Sequence, residues 1–161
     1  MSVWRLAQIN VGRLIAPIDS PLVAEFVANL APINAVADCQ PGFVWRLVGE
    51  GGDATDLQAF DDPRIAMNMS VWESLETLAA FAYRSAHRDV MRRRREWFEV
   101  PTQPFVALWW IPAGHIPTPA EGRERLETLQ RLGPTARAFT FRQPFPPPGA
   151  AEAAPILDEC A

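Results

Sequence analysis

The sequence predicts an α+β protein built on one antiparallel sheet, and three observations predict it. Several segments alternate or run apolar over strand-like lengths, and longer segments repeat apolar residues at three- and four-residue spacing. The two kinds follow in the order strand, helix, strand, strand, helix, strand. The chain has 161 residues, the size of one domain, and 48% of them are hydrophobic, enough for a substantial core.

The first strand is "VWRLAQINVGRL" (residues 3–14), which alternates and carries Val, Trp, Leu and Ile. Ser20-Pro21 then starts a helix, with the serine as N-cap and the proline at the first helical position. Leu22, Val23, Phe26, Val27, Leu30, Ile33, Asn34 and Ala37 carry it to residue 38, and Pro32 inside it predicts a kink or local break. Residues 43–48 form the second strand, with Phe43, Trp45 and Leu47 on one face. "IAMNMSVWE" (65–73) is the third. Ser74 caps a long helix to about residue 98; Thr77 is not the Glu or Gln that completes a capping box. "PFVALWWIPAG" (104–114) is nearly continuous in apolar residues, a strand with both faces buried. Thr118-Pro119 opens a third helix, Gly133-Pro134 closes it, and "ARAFTFRQPF" (136–145) reads as a last short strand.

That order is the split βαβ, ferredoxin-like arrangement, with the helices on one face of the sheet. Residues 1–145 make a single such domain, extended by the extra C-terminal helix and short strand. Residues 146–161 are a Pro/Ala-rich tail expected to be poorly ordered. Large apolar residues stand on both faces of the first strand, Trp4 and Leu6 against Val3, Ala7 and Ile9. A second copy of the sheet would cover the outer face and give a homodimer with a closed barrel.

Composition narrows the function. The net charge is −4, which disfavours nucleic acid as a partner. All fifteen basic residues are arginine, so lysine Schiff-base chemistry is excluded. Cys39 and Cys160 form neither a disulfide framework nor a metal motif. The N-terminus lacks a leader pattern and no apolar run is long enough to span a membrane, so no membrane partner and a cytoplasmic location are expected. No GxSxG, P-loop, GxGxxG, HExxH or EF-hand pattern occurs.

Chemistry concentrates in the second long helix. Leu75, Ala79, Ala82, Ala86, Val90, Arg93 and Trp97 follow helical spacing and should lie on the sheet. Glu76, Tyr83, His87 and Arg94 run along the edge of that stripe. Arg84, Arg88, Arg92 and Arg95 point to solvent, where cations near a helix C-terminus suit its dipole. Arg93 and Arg94 either pair with an acid such as Glu50, Glu73 or Glu99 or anchor an anionic ligand. His87 titrates near neutrality and is the candidate proton-transfer group, with Tyr83 as its neighbour; the structural alternative is a histidine hydrogen-bonded at the helix–sheet edge. His115 follows "WWIPAG" at the rim and is not in metal-ligand spacing with His87, so no metal is predicted. Trp109 and Trp110 face opposite sides of one strand. With Trp4, Trp45, Trp72 and Trp97 they either line an aromatic pocket or fill a thick core. Asn68, Asn10, Arg46 and Ser70 are polar residues inside strands, either pocket groups or positions meeting solvent.

"LAQINVGRL", "FVANLAPINAVADCQPGFVWRL", "SVWESLETLAAFAYRSAHRDVMRRRREWF" and "LWWIPAGHIPTPAEGRERLETLQRLGP" together resemble a bacterial family, domain of unknown function 3291, over roughly residues 6–145. The resemblance implies a dimeric α+β barrel near the antibiotic-biosynthesis-monooxygenase type. That superfamily includes cofactor-free monooxygenases of polycyclic phenols, haem-dependent and haem-degrading enzymes, cyclases and simple ligand binders. It implies the fold and leaves the activity to the site. The expectation is a monooxygenase-like protein that binds an apolar or phenolic small molecule between sheet and helices. His87 would act by proton abstraction, without a cofactor. A non-catalytic ligand-binding dimer is the alternative, and haem binding a further one.

Overall fold

The computed structural model describes residues 3–49, 51–55 and 57–150. Four strands, β1 (Trp4–Arg13), β2 (Phe43–Arg46), β3 (Ile65–Trp72) and β4 (Val106–Pro112), form one antiparallel sheet in the order β2-β3-β1-β4. Helix α1 (Ala24–Asp38) joins β1 to β2, and α2 (Leu75–Arg84) with α3 (His87–Arg92) joins β3 to β4. This is the ferredoxin-like topology that the element order predicts. Helix α4 (Pro119–Leu132) follows β4. None of the described helices is long and apolar enough to cross a membrane. Most of the Pro/Ala-rich tail, with Cys160, lies outside the described residues; Cys39 is an exposed free thiol.

The register decides what each face carries. Leu6, Gln8 and Asn10 of β1 stand opposite Trp72, Ser70 and Asn68 of β3, and Leu6 and Gln8 stand opposite Trp110 and Leu108 of β4. This face takes α1 and α2, whose Ala37, Leu75 and Leu78 join Leu6, Trp72, Leu108 and Phe139 in one core. The opposite face presents Ala7, Ile9, Met69, Val71, Ala107, Trp109 and Ile111, and Leu126 and Leu129 of α4 cover it. The two crossover helices therefore share one face as expected, while the extra helix supplies from within the chain the cover that a second sheet was expected to give. Helix and sheet approach closely at Gly122, where a Cβ would stand 2.9 Å from the Met69 sulfur and 3.0 Å from Ile9 Cδ1. Glu121 fastens the start of α4: its carboxylate accepts from Trp109 Nε1 at 3.0 Å and lies 2.7 Å from His115 Nε2.

Several local expectations change. Helix α1 continues through Pro32, with a 3-10 turn at Pro21–Val23 before it. A bulge between Phe43 and Trp45 puts Phe43 against Trp72, ring centroids 5.5 Å apart, while Trp45 and Leu47 go to the α4 face. Thr77 does complete a capping box: Ser74 Oγ accepts from Thr77 N and Thr77 Oγ1 accepts from Ser74 N, each at 3.2 Å. Residues 136–145 pair with β4 only through the bridge Phe139–Leu108. The helix expected to run to residue 98 breaks after Arg84, resumes as α3, and ends in a 3-10 turn, Arg94–Glu96. Its inward stripe is Leu75, Leu78 and Phe81, and Ala86 is exposed.

Candidate ligand-binding site

The face of the sheet that carries α1 and α2 is apolar at both ends and polar in the middle. Gln8 and Ser70 are buried there, while Asn10 and Asn68 beside them still reach solvent. They are open because α1 stands off the sheet: Ala37 is its one fully buried residue, and Phe26, Leu30 and Ile33 are only half-buried. On this face, between α1, α2 and the central strands, Asn10 and Asn68 are the polar side chains that solvent reaches.

The polar middle is a hydrogen-bonded strip. Gln8 Nε2 donates to Asn68 Oδ1 at 2.6 Å and to Ser70 Oγ at 2.8 Å. Asn10 Nδ2 donates to Gln8 Oε1 at 3.3 Å and to Asn68 Oδ1 at 3.5 Å. These bonds fix the amides and leave two groups without a partner among the described residues, the Asn68 Nδ2 donor and the Asn10 Oδ1 acceptor. Neither is a sealed, orphaned atom, so both face accessible space.

At one end, Trp72 Nε1 donates to Ser70 Oγ at 2.8 Å. The Trp72 ring stacks on Phe81 at 5.2 Å, and Phe81 lies against His87 at 4.8 Å. His87 sits at the helix break. There the Ser85 hydroxyl donates to the Phe81 carbonyl and accepts from His87 N, which closes one helix and starts the next. His87 Nδ1 lies 3.3 Å from the Ala82 carbonyl oxygen. A carbonyl only accepts, so Nδ1 carries the proton and Nε2 keeps its lone pair. Burial pushes the imidazole below its ordinary value of 6.5, against a smaller upward pull from the Ala82 carbonyl. The ring is therefore neutral at pH 7. It contacts the aromatic stack and not the amides.

At the other end stands Arg94. Its Nη2 donates to the Val11 carbonyl at 3.1 Å, and its guanidinium carbon lies 4.9 Å from the Phe98 centroid and 4.2 Å from that of Phe105. Gly12 makes this possible, since a Cβ there would collide with Phe98 and stand 2.9 Å from Arg94 Nη2. Gly12 follows Asn10 by two residues and shares its face, so the guanidinium closes the strip. Arg94 Nε is buried without a partner, and burial lowers the pKa of the group. A cavity of about 240 Å³ opens beside it, lined by Arg94, Arg95, Phe98, Glu99, Val100, Pro101 and Phe105.

Of the residues singled out in the sequence, the fold brings Asn10, Asn68, Ser70, Trp72, Trp110, His87 and Arg94 to one face and uses the others differently. Tyr83 meets Phe141 edge-on at 5.3 Å. Arg93 is an exposed surface cation bound to Glu25 and Glu96. Its partners are neither Glu73 nor Glu99, and Glu50 lies outside the described residues. Trp97 is core beside Leu14, Ala16 and Val23. Trp109 is buried under α4. Trp110 is on that face, but its Nε1 donates to the Phe145 carbonyl at 2.8 Å. His115 is exposed at the α4 side. Gln8 was missed. The signal for it was paired polarity: Gln8 with Asn10, and Asn68 with Ser70, each two apart on strands that run antiparallel. Among the described residues, no three His, Cys, Asp or Glu side chains gather to hold a metal ion.

Residues 5–155 match the family described as Domain of unknown function (DUF3291). No curated protein matches. Two solved structures are similar over part of the chain. One is a "protein of unknown function from Nitrosomonas europaea", NE2512, at 13% identity and a TM-score of 0.45, covering 72% of this chain and 97% of that one. The other is a "putative Antibiotic biosynthesis monooxygenase from Chloroflexus aurantiacus J-10-fl", at 17% identity and a TM-score of 0.43, covering 71% and 97%.

Proposed function

This chain belongs to the DUF3291 family, and from that premise we propose that it binds a flat, oxygen-bearing aromatic molecule, phenolic in class, in a cleft between sheet and helices. The observation that carries this reading is the open donor on Asn68 and the open acceptor on Asn10, side by side in an otherwise apolar face. A hydroxyl or enol oxygen both donates and accepts, so one such group satisfies both amides. Phe81, half-buried and stacked on the core residue Trp72, supplies an aromatic wall.

His87 adds a catalytic version. Its neutral ring with an unprotonated Nε2 can take a phenolic proton from a ligand turned so that its hydroxyl lies on the Phe81 side instead of at the amides. The resulting anion is electron-rich and can reduce oxygen without a cofactor, the chemistry implied by the resemblance to monooxygenases. A purely ligand-binding protein would keep the amide strip and show no turnover. A homodimer belongs to the same reading. With α4 over the second sheet face, the open edge of β2 is the surface for a second copy, where Val44 and Val48 are 44% and 48% exposed.

The test is titration of 1-naphthol into the wild type, followed by tryptophan quenching, against the Asn10→Leu/Asn68→Leu double variant. Loss of two neutral hydrogen bonds should weaken binding about tenfold. Unchanged affinity removes the reading. Naphthol-dependent oxygen uptake that vanishes in His87→Ala supports catalysis; binding without uptake supports the ligand-binding version.

A further inference from the structure

We propose that the ligand of this cleft carries a carboxylate about 6.5 Å from the oxygen held by the amides, the span of two residues along a strand, and that Arg94 reads that carboxylate. The inference rests on the binding site proposed above and names its substrate class. Arg13, Arg46, Arg93, Arg123 and Arg137 each have a carboxylate partner. Arg94 has none among the described residues, although it is part-buried against β1; Arg125, whose Nε is also buried without a hydrogen-bond partner, has Glu124 at 3.5 Å. Two phenyl faces and one carbonyl meet part of the demand of a guanidinium removed from water. The Arg94 Nε remains without an acceptor. What is missing is a negative charge, and desolvation of the group, which lowers its pKa, expresses the same lack.

The surroundings favour a small carboxylate. The adjoining cavity of about 240 Å³ lies below the roughly 300–1,000 Å³ of sites for drug-sized ligands, which suits a single ring or a ring substituent. Glu99 is in its wall, but that carboxylate is held by Arg13 at 2.5 Å and by Arg64 at 3.9 Å. Arg95, also in the wall, has no ion pair among the described residues. The cavity is therefore positive on balance. The planar fork of a guanidinium matches a carboxylate in geometry as well as charge. A para-hydroxy aryl acid has its two oxygen functions at about the separation of Asn10 and Gly12, the residue under Arg94.

Isothermal titration of the full chain with 4-hydroxybenzoate and with 4-hydroxybenzamide tests this at pH 7.5. The acid is expected to bind at least tenfold more tightly than the amide. Arg94→Gln should bring the acid to the level of the amide, and Arg94→Lys should retain part of the preference. Equal binding of acid and amide by the wild type overturns the inference and leaves the cleft reading intact; this comparison needs no variant to fold. A preference that survives Arg94→Gln also overturns it. Acid binding that depends on Arg94 but is indifferent to Asn10→Leu/Asn68→Leu keeps Arg94 as the carboxylate reader and removes the cleft reading. Failure of both compounds to bind the wild type overturns both.

Discussion

Arg92, Arg93, Arg94 and Arg95 are consecutive and chemically identical, and each meets a different environment. Arg92 lies 3.9 Å from Asp89 at the surface, Arg93 joins Glu25 and Glu96, Arg95 is exposed, and Arg94 turns in over Gly12. The 3-10 turn at Arg94–Glu96 advances about 120° per residue rather than 100°, so a helical wheel drawn through residue 98 misplaces them. Of the two, Arg93 looked as inward as Arg94, and only the end of α3 separates their fates. His87 has a consequence that can be measured at this scale. Its pKa is lowered in the folded state, so the unfolded chain takes up the proton first. The stability due to a neutral His87 is complete above about pH 6.5 and is lost as pH falls toward the depressed folded value. Urea unfolding from pH 8 to pH 5 should show that loss, and His87→Gln should remove this part of it. Parallel pH profiles for the two proteins would rule out a buried neutral ring.

At the scale of elements, three joints set the packing around the sheet. The first is the break between α2 and α3, where the Ser85 hydroxyl and His87 Nδ1 occupy the carbonyls of Phe81 and Ala82. The sequence carries little warning of it. Ala82, Ala86 and Val90 continue the helical period, there is no Gly or Pro, and Ser85 is the only local competitor for backbone hydrogen bonds. The second joint is Gly12. Gly12→Val should displace Phe98 and Arg94 together and cost about 1–3 kcal/mol, or roughly 2–4 °C of melting temperature per kcal/mol. An unchanged melting curve would show that those side chains can retreat freely. The third is the clasp of Glu121 on Trp109. Glu121→Ala leaves a fully buried indole N–H without an acceptor, at a cost of about 1–3 kcal/mol, readable by thermal unfolding. The sequence showed Trp109 and Trp110 on opposite faces, and they are. What lay across from each was not local information.

For the whole molecule, the question is how the chain assembles when α4 already lies on the second sheet face. Light scattering should report twice the 17.9 kDa chain mass, and Val44→Arg with Val48→Arg should halve it. A single-chain mass for the wild type at high concentration would remove the homodimer from the proposal. The order of strands and helices, and through it the ferredoxin-like topology, could be read directly from the chain, because alternation, helical period and capping residues act over a few neighbours. The polar strip and its surroundings could not. Gln8 and Asn68 are 60 positions apart, and Arg94 reaches the Val11 carbonyl across 83. Such contacts depend on the register of β1 against β3, on where α2 stops and on how far α1 stands from the sheet. Those are outcomes of packing between distant segments. A run of polar residues in a strand is neutral about them until its partner strand is placed beside it.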